Sequence, residues 1–172
     1  MTIRRSERNI EEASLDRHDI QRLLIKIRSN HVSTVILKLK NELGSNITAT
    51  IIENIIFTLF ENDCCQALYF QNIPNAMNSI QLSRLGEMLI CKKNIWCLNI
   101  GENYNLSNDS LSNFCNDLRK SNITHLYISE NLVTPDLKVK FRDVIRCNRK
   151  KHGFHNSVEN RDVIESCTNM WW

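Results

Sequence analysis

Glycine and proline are scarce, with four and two in 172 residues. So few turn formers argue against a sandwich or barrel, whose repeated tight reversals need them. A glycine-rich phosphate loop is missing, and no Ser/His/Asp or Cys/His set stands in a recognisable catalytic context. A long apolar run is missing too. The most hydrophobic stretch, 47–60, is interrupted by Glu53 and Asn54 and is too short to span a bilayer. Arg4, Arg5, Glu7 and Arg8 charge the amino terminus, which lacks the apolar centre of a secretory signal. Charge of one sign does not dominate either, because the formal net charge is only +3. These absences lead us to expect a soluble intracellular protein, cytoplasmic or nuclear, with no membrane association, no cofactor and no enzymatic chemistry.

A chain of this length is expected to form one domain and to bury about 70% of its unfolded surface. The seven cysteines are odd in number and sit mostly in apolar runs, which reads as reduced, buried thiols. Cys64 and Cys65 are adjacent, a spacing that suits the start of a strand better than a disulfide. Glycosylation-type triplets begin at Asn46, Asn105, Asn108 and Asn122. Without a secretory signal they read as asparagine-rich composition.

What the chain does have is a repeat. Ile95, Leu98, Ile100 and Asn103 set a pattern that Ile123, Leu126, Ile128 and Asn131 reproduce 28 residues later. A looser copy centres on Leu68, 30 residues before Leu98, and another on Leu37, 31 residues earlier still. In these two copies the asparagine, Asn72 or Asn41, arrives one position early. Apolar residues at helical spacing follow each copy: Ile51, Ile52, Ile55, Ile56 and Leu59, then Leu82, Leu85, Met88 and Leu89. After the third come Leu111, Phe114, Cys115 and Leu118, with Ser107 or Asn108 as N-cap. After the fourth come Leu137, Phe141, Val144 and Ile145, preceded by Thr134 as N-cap and Pro135 at the first helical position. A unit of this length cannot bury its apolar face alone, so it must stack on a neighbour of its own kind. Because every crossover is a helix, the strands are expected to run parallel.

This pattern resembles the leucine-rich repeat family in its longer, ribonuclease-inhibitor-like form, over residues 32 to 149. The resemblance implies an α/β fold: a leucine-rich-repeat solenoid forming a short horseshoe arc, with a parallel concave β-sheet, convex α-helices and an N-terminal capping helix. The expected organisation is a capping helix in 1–31, about four repeats in 32–149, and a C-terminal cap or tail in 150–172. Leu15, Ile20, Leu23, Leu24 and Ile27 make the capping helix amphipathic over residues 14–28. Trp171 and Trp172 either pack back on the last repeat or mark a piece of a longer protein.

The resemblance also implies non-catalytic protein binding, a scaffold role, through the concave face. Residues alternating with the inward leucines form three outward columns. They are Ile36, Ala67, Cys97 and His125; Lys38, Tyr69, Asn99 and Tyr127; and Lys40, Gln71, Gly101 and Ser129. The expected contacts to an unidentified protein partner are Lys38, Lys40, Tyr69, Gln71, Cys97, Asn99, His125, Tyr127 and Ser129. An alternative is nucleic-acid association through the basic run Arg146, Arg149, Lys150 and Lys151, with the two terminal tryptophans available for stacking. Some cytosolic members of the family regulate small GTPases, which is a further alternative by analogy. Cys147, His152, His155 and Cys167 have zinc-ligand chemistry but match no regular zinc spacing, so no metal is expected. Glu102 and Glu130 recur because the unit recurs and need no paired-carboxylate chemistry.

Overall fold

Four short strands pair side by side in chain order, all parallel. They are β1 (Ile36–Lys38), β2 (Ala67–Tyr69), β3 (Cys97–Asn99) and β4 (His125–Tyr127). The computed structural model describes residues 18–43 and 47–153. A helix over residues 18–28, α1, precedes the sheet. The remaining helices are α2 (Leu39–Leu43), α3 (Ala49–Leu59), α4 (Ser79–Cys91), α5 (Asn108–Leu118) and α6 (Pro135–His152).

The register puts Leu37, Leu68, Leu98 and Leu126 in one row across the sheet. Side chains alternate between the faces of a strand, so these leucines share one face. There they pack with Ile55 and Leu59 of α3, Leu85 and Leu89 of α4, Phe114 and Leu118 of α5, and Phe141 and Ile145 of α6. The 28- to 31-residue spacing therefore produces stacked strand-and-helix units around one continuous core. The helices begin where polar caps stop the extended chain. Thr48 accepts from Ile51 N, Asn78 from Ile80 N and Ser107 from Ser110 N. Ser107, rather than Asn108, caps α5. Thr134 stands at the N-cap of α6 with Pro135 behind it, but its side chain makes no capping bond.

Leu23 and Ile27 of α1 join the same core beside the first unit. Asn62 Nδ2 donates to Ile27 O at 2.7 Å and holds α1 there. The same role passes along the stack: Asn94 Nδ2 donates to Cys65 O, Asn122 Nδ2 to Lys93 O, and Asn148 Nδ2 to Leu118 O and Ile123 O. Leu15 and residues 14–17 lie outside the described residues.

Three differences from the sequence expectation matter. The strands are only three residues long. Gln71, Gly101 and Ser129 therefore lie beyond the strand ends, in the turns that leave the sheet. Lys40 is not on the sheet at all. Leu39 is buried and the chain coils at once into α2, which carries Lys40 away exposed. The two template asparagines also diverge. Asn103 is fully buried, whereas Asn131 is exposed in a 3-10 turn, Glu130–Leu132, that leads directly to α6.

Helices α4 and α5 approach closely at Gly86, where an added Cβ would collide with the Asp117 carboxylate. Burial raises the Asp117 pKa, Lys120 opposes the shift, and Glu87 adds to it. A carboxyl group with a raised folded-state pKa supports folding when protonated. That contribution is lost as pH rises through the folded pKa. Asp117→Asn is therefore expected to melt higher than the parent at pH 7, with the gap closing near about pH 3, below the ordinary aspartate value. Thermal denaturation at the two pH values checks this. A gap that widens in acid would contradict it.

Candidate functional site

The sheet face turned away from the helices divides into two parts. At its amino end, Ala67, Tyr69, Cys97 and Trp96 form a cluster separate from the main core, with Ile36 packed against it. The cross-strand register places Ile36, Ala67, Cys97 and His125 in one row. Trp96 meets the His125 ring edge-on, with centroids 5.1 Å apart and planes at 68°. His125 Nδ1 lies 3.1 Å from Thr124 Oγ1. Tyr69 OH stands 3.9 Å from Cys97 Sγ, and Lys38 Nζ sits 5.2 Å from the Tyr69 ring centroid, in cation–π range.

At the carboxyl end, a polar ladder runs across the turns. Asn99 Nδ2 donates to Gln71 Oε1 at 3.0 Å, and Gln71 Nε2 donates to Glu102 Oε1 at 2.9 Å. Asn99 Oδ1 accepts from Gly101 N, and Ser129 Oγ accepts from Glu102 N at 2.7 Å. The Tyr127 ring lies so close over Gly101 that a Cβ there would overlap it, so glycine is what admits the ring. Glu102 holds a left-handed backbone, φ 60°, as Asn72 does at the matching turn, φ 55°. Tyr104 follows on the same loop and is 57% exposed.

The expected contact residues therefore separate by burial. Tyr69, Cys97, Asn99, His125 and Ser129 are buried, where an open surface was expected. Adjacent strands stand about 4.8 Å apart, and Ala67, Tyr69, Trp96 and Cys97 pack in one cluster with Ile36 against it. Lys38, Gln71 and Tyr127 are half-buried, and Lys40 is exposed. The sequence reading passed over Trp96 and Tyr104, and it explained Glu102 by the repeat alone. Trp96 aligns with Gln66 and Thr124 in the neighbouring copies, so its being the one aromatic at that position was the available signal.

The basic run at the end of α6 does not form one patch. Arg149 turns inward, half-buried, and its Nε donates to Thr124 O at 2.8 Å. Burial lowers its pKa. Arg146, Lys150 and Lys151 are exposed. Cys147 is exposed and His152 half-buried, while His155, Cys167, Trp171 and Trp172 lie outside the described residues. Among the described residues, no group of three or more His, Cys, Asp or Glu could hold a metal ion. Burial pushes the Cys115 thiol up to about 11 and raises Cys65 further, so neither is an activated nucleophile. No helix among the described residues is long and apolar enough to cross a membrane.

The described residues thus define an α/β protein with a four-stranded parallel sheet and its long helices on one face. No known family model matches the chain, and no curated protein matches it. Among solved structures it is similar to actin-binding site 2 of leiomodin-1, with 12% identity and a TM-score of 0.48, covering 83% of this chain and 93% of that one. It is also similar to the tropomodulin C-terminal domain of Caenorhabditis elegans, with 10% identity and a TM-score of 0.49, covering 84% and 98%. Likeness at this level carries no partner across. These findings correct the expected membership of the leucine-rich repeat family in its ribonuclease-inhibitor-like form. No such family model matches, and the similar structures are tropomodulin and leiomodin domains. The horseshoe solenoid and the GTPase-regulating alternative rested on that resemblance and fall with it.

Proposed function

We propose that the chain is a non-catalytic, intracellular protein-binding module. Its partner docks on the carboxyl-end rim of the sheet, on Lys38, Gln71, Glu102, Tyr104 and Tyr127. The observation that carries this reading is the ladder from Asn99 through Gln71 to Glu102, with Glu102 N held by Ser129. Side chains already held in place lose little rotamer entropy when a partner arrives, so more of the contact energy is retained as affinity. Tyr104, exposed on the loop, and Tyr127, braced over Gly101, supply aromatic anchors of the kind that dominate protein interfaces. Lys38 adds positive charge at one end of the rim, which favours a partner with an acidic group there. Cys65 and Cys115, free thiols packed in the apolar core, support the intracellular setting.

The test begins with a partner recovered by cross-linking in cells and then purified. Tyr104→Ala and Tyr127→Ala are each expected to weaken binding about tenfold or more, the range of interface anchors. Ile80→Ala, on the outer surface of α4 and 63% exposed, should leave affinity unchanged. If both tyrosine variants bind normally and the Ile80 variant does not, the rim is not the contact surface.

A further inference from the structure

Among the described residues, large apolar side chains left in water stand mostly one to a helix, such as Ile80 on α4 and Val139 on α6. The exception lies between α1 and α3. Ile25 is 64% exposed, Phe57 67% and Phe60 42%. The fold brings them to one place. Arg28 Nε lies 3.5 Å from Glu61 Oε2. Asn62 Nδ2 donates to Ile27 O and Asp63 N to Asn30 Oδ1, so the carboxyl ends of the two helices meet. Ile25 stands one turn before Arg28, and Phe57 one turn before Glu61, each on the same helix face as its half of the ion pair. The three side chains leave roughly 300 Å² of apolar surface in water, the size at which a patch marks an interaction site.

The charges beside the patch indicate what covers it. Over residues 18–28, α1 carries Arg22, Lys26 and Arg28 against Asp19. Over residues 49–61, α3 and its end carry Glu53 and Glu61 and no lysine or arginine. The surface is therefore its own complement. We propose that it binds a second copy of this chain, with a twofold axis running between α1 and α3 and parallel to them. That operation lays α1 of one protomer on α3 of its partner and brings the two apolar patches together. It also sets Arg28 against Glu61 of the partner subunit, twice. Both side chains are more than half exposed within one chain, so each can reach across. Two such patches bury roughly 600 Å² of apolar surface, at the weak end of the range of interfaces, so a dissociation constant on the order of 100 μM is expected. The chain then stays monomeric at the low micromolar concentrations used for unfolding. This surface lies among the helices, apart from the carboxyl-end rim, so either can be occupied without the other.

Sedimentation equilibrium of the full-length chain, at concentrations bracketing that constant, should show a monomer–dimer equilibrium. Phe57→Asp and Ile25→Asp should each leave a monomer throughout, with the far-ultraviolet helix signal unchanged. Ile80→Asp and Tyr127→Ala, one on α4 and one on the rim, should associate like the parent. A mixture of charge variants tests the arrangement itself. Arg28→Glu and Glu61→Arg should each weaken self-association about fivefold or more, because like charges then face each other. Mixed together, the two variants should pair at the parent's strength. A parent chain that remains monomeric overturns the proposal. So do dimers that survive Phe57→Asp, association beyond a dimer, or charge variants that associate no better mixed than alone.

Discussion

Asn103→Ala is expected to cost about 3 kcal/mol of folding stability, although the same substitution at its sequence twin Asn131 should cost no more than about 0.5 kcal/mol. Asn103 is fully buried. Its Nδ2 donates to Phe70 O at 2.7 Å and to Ile100 O at 2.9 Å, and its Oδ1 accepts from Ile73 N at 3.0 Å. Alanine removes all of these bonds at once and leaves buried backbone groups of the second and third units without partners. The penalty of stranding such groups exceeds the ordinary net value of a hydrogen bond. Asn131, exposed in its 3-10 turn, leaves water free to replace whatever it loses. Urea unfolding of both variants measures the difference. Equal midpoints for the two would show that the asparagine does not tie the units together.

Phe70→Ala is expected to be at least as damaging, at about 3 to 5 kcal/mol, the range for emptying an aromatic site in a core. Phe70 occupies the position that Ile100 and Ile128 hold in the next two units, and it is fully buried among them. Its backbone N donates to Asn99 O at 2.8 Å, and its carbonyl is the one Asn103 grips. A cavity here lies between two units, where collapse would shift the strand register. The control is Phe57→Ala on α3, 67% exposed, which should change stability little. A urea midpoint that falls sharply for Phe70→Ala at constant slope, and hardly moves for Phe57→Ala, is the expected pair of results. Similar small shifts in both would mean that the core does not run through Phe70.

Much of this scaffold was legible in the residues. Leu37, Leu68, Leu98 and Leu126 could be aligned by spacing alone, and the structure puts those same residues in register. The helix faces could be read as well, because 3.6-residue periodicity marks the buried side chains of α3 to α6 directly. The site was less legible. Alternation on a strand tells which face a side chain takes, not whether that face is open. So Cys97, Asn99 and His125 were assigned to the correct face and to the wrong degree of exposure. Lys40 was misplaced because nothing in its local pattern shows that the chain coils into α2 immediately after Leu39. The family resemblance failed for a related reason. A spacing of apolar residues specifies stacking, and stacking alone does not specify a family.

What the sequence determined by itself is the period: apolar residues at 28- to 31-residue intervals, each followed by a helical stripe, leave parallel stacking as the way to bury both. Local chemistry was enough for that, since strand, helix and cap signals act over a few residues. Only the tertiary structure decided which asparagine is buried, that Tyr127 lies over Gly101, and that Gln71, Asn99 and Glu102 join in one ladder. Those depend on residues about 30 positions apart meeting at hydrogen-bond distance. No local propensity encodes such a meeting before the units have packed.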